Sequence, residues 1–162
     1  MPDIDKIITD VIKREGEATN DPTDKGGRTQ FGISERNNPE AWLDGKVTEK
    51  EAREIYEKKY VVFPGFDRID DVKLREQLVD FGVLSGPQKA IMELQQILQV
   101  DVDGVIGPQT LDALEKDFFR IRIISNSLAV ARIKMFVRIV KRDPSQLKYL
   151  AGWVNRASEF IL

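Results

Sequence analysis

Apolar residues recur at helical spacing in the opening segment, where Ile4, Ile7, Ile8, Val11 and Ile12 of IDKIITDVIKREG share one face. Gly16 supplies a stop signal, which puts Glu15 in the last helical turn. The periodicity then lapses. Asn20-Asp21-Pro22 and Asp24-Lys25-Gly26-Gly27 are turn signals, and Thr29-Gln30-Phe31-Gly32-Ile33 is a short strand-like run. A tight glycine-rich hairpin is therefore expected to face the helix end, with Glu15, Asp24 and Thr29 converging on one cleft.

Glu35-Arg36-Asn37-Asn38-Pro39 forms a loop into a short segment holding Trp42. Helical spacing resumes after Thr48, which pairs with Glu51 as a capping box, and Ala52, Ile55, Tyr56 and Tyr60 recur at that spacing. Pro64-Gly65-Phe66 ends that helix, and Asp70-Asp71 cap the next, VKLREQLVDFGVLSG. Beyond it come a further helix, an Asp103-Gly104 turn, a Gly107-Pro108 turn, and a helix that starts from Pro108 or is capped by Thr110. The segment FFRIRIISNSLAVARIKMFVRIVKR is helical and basic. Ile121, Ile124, Leu128, Ile133, Phe136, Val137 and Val140 supply its apolar set, and Arg120, Arg122, Arg132, Lys134, Arg138, Lys141 and Arg142 its cations. A long core helix with cations on the wet side accounts for this pattern. Asp143-Pro144 breaks it, and the amphipathic tail LKYLAGWVNRASEFIL follows with Trp153 as its core anchor.

A chain of 162 residues fits one domain, or two small lobes sharing a core. The net charge of −2 conceals an asymmetry: residues 118–162 carry nine Lys and Arg against two acids, and residues 1–117 carry 16 against 25. Such a distribution suggests an interaction face. With no Cys and no His, the chain has no disulfide framework, no thiol nucleophile, no imidazole base and no favoured zinc ligand. Carboxylate chemistry is what remains. A calcium loop opening at Asp101-Val102-Asp103-Gly104 would need further oxygen ligands where Val105 and Ile106 stand and a Glu where Asp112 stands, so neither metal nor cofactor is expected. A nucleic-acid motif is also lacking. No apolar run approaches a signal sequence or the roughly 18 residues of a membrane span, and accumulation in the cytoplasm is expected.

Two carboxylates across a cleft are what glycosidic cleavage requires. One is kept protonated to donate to the leaving oxygen, and the other stays ionised as base, nucleophile or cation stabiliser. Glu15, at the carbonyl end of a helix dipole and near an apolar face, has reasons for a raised pKa. Asp24, flanked by Lys25 and near Arg28, has reasons to stay ionised. Solvated acids on a helix cap and a surface hairpin give the same residue types.

Asp21-Pro22, Asp24, Gly26-Gly27, Thr29 and Gly32-Ile33-Ser34 resemble the signature of glycoside hydrolase family 108, the lysozyme-like phage endolysins and related bacterial muramidases. The order Glu15, Asp24, Thr29 is also similar to the catalytic spacing of T-even phage lysozymes. Glu17 and Ala18 stand where the family usually has Gly and Tyr. The resemblance continues in the 48–60 helix, in the Leu94-Gln95 to Thr110 stretch, which resembles a peptidoglycan-binding repeat, and in the Gly152-Trp153 tail. It implies a mostly α (α+β, lysozyme-like) fold, a helical bundle with a small β-hairpin beside the catalytic helix. A catalytic lobe at 1–80 and a helical peptidoglycan-binding-like lobe at 81–162 would pack into one body.

The resemblance further implies a peptidoglycan hydrolase that cleaves the β-1,4 bond between N-acetylmuramic acid and N-acetylglucosamine and lyses a bacterial host. Glu15 is then the general acid, with Asp24 and Thr29 positioning or activating water. Gln30, Tyr56 and Tyr60 are the candidates for substrate binding, the tyrosines by stacking on pyranose rings, although core aromatics with a wet hydroxyl would look alike. The expected partner is peptidoglycan, met by a monomer that waits in the host cytoplasm and acts on the periplasmic wall. A second use of the basic helix is contact with anionic membrane or lipopolysaccharide. A lytic transglycosylase and an inactive wall-binding protein remain the alternatives.

Overall fold

The structure is a computed structural model describing residues 2–15 and 28–162, with side chains at 4–13 and 28–162. The expectations at Gly16, Glu17, Ala18, the two turn signals and Asp24 lie outside the described residues, as does the side chain of Glu15. Among the described residues are seven α-helices and one two-stranded antiparallel sheet, in line with the mostly α expectation. No helix among them is long and apolar enough to cross a membrane. The chain divides into two compact units, 1–63 and 64–162.

In the first unit, α1 (Pro2–Glu15) buries Ile4, Ile7, Ile8, Val11 and Ile12, the stripe its spacing predicts. It packs on α2 (Glu49–Glu57). That helix opens on the expected capping box: the Glu51 N–H donates to Thr48 Oγ1 at 3.3 Å, and the Thr48 N–H donates to Glu51 Oε2 at 2.8 Å. It continues into one π-helical turn, Lys58–Val62, before Pro64 ends it.

The strand-like run departs from expectation because the chain reverses inside it. Strands β1 (Thr29–Gln30) and β2 (Ile33–Ser34) pair with Thr29 opposite Ser34 and Gln30 opposite Ile33. Phe31 and Gly32 form the two-residue turn, with φ of +52° and +74°. Positive φ at both central positions matches the right-handed twist of hairpin strands, and only Gly adopts it without strain.

The second unit is built around α3 (Val72–Ser85), whose N-terminus is capped by the Asp71 carboxylate accepting from the Leu74 N–H at 2.8 Å. Its residues from Gln77 to Gly82 are all buried. α4 (Pro87–Leu98) and α6 (Ile121–Arg142) both pack on it, so α3, which runs across residue 80, lies wholly in this unit. Leu74, Leu78, Phe81, Leu94, Leu128 and Phe136 make the core. α5 (Pro108–Lys116) begins at Pro108 with Gly107 as its cap residue. Thr110 is buried instead, accepting a 3.1 Å bond from the Gln95 amide.

That Gln95 side chain organises the Asp-Gly turn. It donates to Asp103 Oδ1 at 2.7 Å and the Val105 carbonyl at 3.0 Å, and accepts from the Gly104 N–H at 2.9 Å. α7 (Leu147–Ser158) packs on α6, with Trp153 half-buried between Phe136 and Tyr149, at centroid distances of 5.3 and 5.7 Å.

One cation of α6 corrects the sequence reading. Arg122, Lys134, Arg138, Lys141 and Arg142 are exposed as expected, but Arg132 is fully buried. Its guanidinium donates to Asp80 Oδ2 at 2.6 Å, and Arg156 of α7 donates to Oδ1 of the same carboxylate at 2.9 Å. A buried charge is tolerable in a helix core only with such pairing.

Candidate active site

The strut of the first unit is α2. Arg53 and Tyr56 lie one turn apart on one side of it, following the 3.6-residue repeat. Arg53 Nη2 donates to Thr9 Oγ1 of α1 at 2.9 Å, tying α2 to the helix that ends at Glu15. Three residues on, the Tyr56 hydroxyl donates to the Phe31 carbonyl at 3.0 Å and ties the same face to the hairpin tip. The Gln30 side chain accepts from the Val47 N–H at 3.0 Å, just before the start of α2. One helix thus holds both the middle of α1 and the hairpin that carries Thr29.

The base of the hairpin is closed by Arg28. It makes a bidentate pair with Glu35, at 3.1 and 2.9 Å, and donates to the Gly45 carbonyl at 3.1 Å. Its guanidinium carbon lies 5.0 Å from the centre of the Trp42 ring. Trp42 is buried, and its indole N–H donates to the Ile33 carbonyl at 3.3 Å. The Arg28 hydrogen bonds hold the Glu35 carboxyl below its usual range, and the same contact raises the Arg28 guanidinium.

Of the predicted site residues, Thr29, Gln30, Tyr56 and Tyr60 have described side chains. Glu15 ends α1, and Asp24 lies outside the described residues. Thr29 is half-buried on β1, and its hydroxyl makes no hydrogen bond among the described residues. Gln30 spends its carbonyl on Val47. Tyr56 is only 4% exposed and packs 5.7 Å from the half-buried ring of Tyr60.

A cleft of about 580 Å³ opens on the opposite side of α2, between the 3-10 turn Pro39–Trp42 and Glu51, Glu54, Ile55 and Lys58, and it includes none of these residues. Among the described residues no group of three or more His, Cys, Asp or Glu could hold a metal ion.

Sequence reading missed Arg28, Glu35, Arg53 and the strained Phe31. Arg28 and Glu35 become cross-strand neighbours only once the turn is set at Phe31-Gly32, and opposite charges in that register would then have flagged them. Arg53 had a weaker signal, standing one turn before Tyr56 on the same face.

Residues 8–86 match the family described as glycosyl hydrolase 108, and residues 89–158 match a predicted peptidoglycan domain. The first match takes in α1, the hairpin, α2 and α3, and so runs past the boundary of the first compact unit. Among solved structures, the chain is similar to SagA of Brucella abortus. It shares 30% identity with SagA over 98% of this chain and 91% of that one, with a TM-score of 0.77. No curated protein matches it.

Proposed function

The chain belongs to glycosyl hydrolase family 108, and on that premise we propose that it is a muramidase, cleaving the β-1,4 bond between N-acetylmuramic acid and N-acetylglucosamine. The coarser activity, glycoside hydrolysis of peptidoglycan, follows from the family together with the peptidoglycan domain at 89–158.

In the proposed reaction Glu15 protonates the leaving oxygen. The carbonyl end of α1 disfavours a negative charge there, which favours the protonated acid. Asp24 stays ionised and stabilises the developing cation or activates water. Thr29 holds that water through a hydroxyl that no described neighbour engages. Gln30 and Tyr56 then act by fixing the hairpin that borders the sugar, with the Tyr60 ring packed on Tyr56. The observation that supports this reading is the α2 strut, because Arg53 and Tyr56 give the helix that ends at Glu15 and the hairpin a common support. Lysis of bacterial cells is the consequence we assign to the activity.

The test is mass spectrometry of fragments released from purified peptidoglycan, with Glu15→Gln in parallel. Reducing N-acetylmuramic acid ends, reduced at least about a hundredfold in the variant, are expected for loss of a general acid. Anhydro ends would point to a transglycosylase, and ends from N-acetylglucosamine to the other glycosidic bond. An active Glu15→Gln alongside an inactive Glu17→Gln would move the acid to Glu17.

A further inference from the structure

On α6, the side chains of Ile123, Ser127, Val130 and Lys134 succeed one another at steps of four, three and four residues, so they form one stripe. Together with Glu93 of α4 and with Arg138, this stripe lines an open groove of about 520 Å³. Pockets that hold small ligands span about 300–1,000 Å³. Ile123 and Val130 give the groove an aliphatic surface that is exposed to solvent. Its charge is unbalanced. Lys134 has no ion pair among the described residues, and Arg138 approaches Glu93 only to 3.8 Å while remaining 65% exposed. The surrounding stretch, 118–162, carries nine cations against two acids.

We propose that this groove binds the stem peptides of the wall, and not its sugar strands. This rests on the peptidoglycan reading above and extends it to a second site. The amino sugars of the strand are neutral, because the lactyl carboxyl of muramic acid is consumed in the bond to the peptide. The charge of peptidoglycan therefore sits in its peptides, which carry free carboxylates, alanine methyl groups and, where not cross-linked, one amine. The groove complements each of these. Lys134 and Arg138 receive carboxylates, Ile123 and Val130 cover methyl groups, the Glu93 carboxylate faces the amine, and the Ser127 hydroxyl serves the peptide backbone. An anionic membrane is a poorer match, since surface-lying helices present a broad face of Trp, Phe or Leu. Here two aliphatic side chains share a groove with Glu93, which repels anionic headgroups.

The experiment titrates the full chain with three probes: a synthetic N-acetyl-L-Ala–γ-D-Glu–L-Lys–D-Ala tetrapeptide, whose capped N-terminus stands for the bond to the lactyl group, glycan strands stripped by an amidase and then amidated at the lactyl carboxyls that stripping exposes, and phosphatidylglycerol vesicles. Wild type is compared with a Lys134→Glu/Arg138→Glu double variant and with Glu93→Gln. Saturable binding of the tetrapeptide is expected, weakened at least tenfold in the double variant. Glu93→Gln should lose affinity for the tetrapeptide but not for a form acetylated on its lysine amine. Lys134 and Arg138 are exposed, the Glu93 side chain is 17% exposed, and circular dichroism checks that the variants fold.

The proposal is overturned if the tetrapeptide does not bind, if the double variant binds it equally well, or if stripped strands or vesicles bind while the peptide does not. The two readings fail separately. A wild type that releases no reducing ends from whole peptidoglycan defeats the proposed activity, whereas one that releases them without binding the tetrapeptide defeats only the groove.

Discussion

The hydroxyl of Tyr56 donates a 3.0 Å hydrogen bond to the carbonyl of Phe31, the non-glycine residue held at φ +52° in the hairpin turn. The bond comes from a ring that is buried in the first unit, so it anchors the hairpin tip from beneath. Removing only the oxygen, as in Tyr56→Phe, leaves the ring packing intact. It should cost about 1 kcal/mol, the net value of such a bond, and lower Tm by about 2–4 °C for a chain of this size. Because the hairpin carries Thr29, kcat should fall several-fold with KM little changed. Steady-state kinetics on soluble wall fragments, beside thermal unfolding, provides the check. An unchanged kcat would confine Tyr56 to packing.

The Arg28–Glu35 pair makes the hairpin sensitive to acid. Glu35 is held low by the Arg28 side chain, and Glu51 is held low by the Thr48 side chain and N–H. Both carboxyls thus have folded pKa values below the unfolded value of about 4.3. Each contributes stability above that value and loses it as pH falls through the folded pKa. Tm should therefore drop between about pH 5 and pH 3, and Glu35→Gln or Glu51→Gln should lower Tm at neutral pH while flattening the acid limb. Both groups are exposed, so each effect should be modest. A series of Tm values against pH for the three proteins decides it.

Asp80 is the most sensitive position in the second unit. Its carboxylate receives Arg132 on one oxygen and Arg156 on both, at 1% exposure. Asp80→Asn removes the negative charge between two cations that water scarcely reaches. Loss of one partner from a buried ion pair costs roughly 3–5 kcal/mol. Urea titration should show a correspondingly earlier midpoint, and a loss under about 1 kcal/mol would mean that the core relaxes to admit water.

Gly104 stands at φ +74°, and a Cβ added there would meet Gln88 Cγ at 2.8 Å. Gly104→Ala combines an unfavourable left-handed backbone with a steric clash. A cost of about 1–3 kcal/mol follows. The turn it distorts is the one Gln95 holds together. Hydrogen exchange should show lost protection at the Gly104 amide, which donates to Gln95. Preserved protection would show that the Gln88 side chain simply swings away.

Much of this protein was determined by short-range rules that a sequence displays directly. The stripe of α1, the Thr48–Glu51 box and the Asp71 cap each depend on residues within about one turn of each other, so spacing displays them directly. The same holds for the composition that leaves carboxylates as the available chemistry, and for the family signature around Thr29.

Tertiary structure decided what depends on partners far along the chain. Thr29 to Ile33 reads as a strand, but Tyr56, 25 residues on, and Trp42 help hold it as a turn. Arg132 sits in a basic helix that reads as solvated, and only Asp80, 52 residues earlier, explains why it is buried. Lys134, two residues away, faces a groove instead, because a helix turns about 100° with each residue and neighbours in sequence meet different surroundings. Local periodicity gives each side chain a direction. What lies in that direction is settled only when the elements pack.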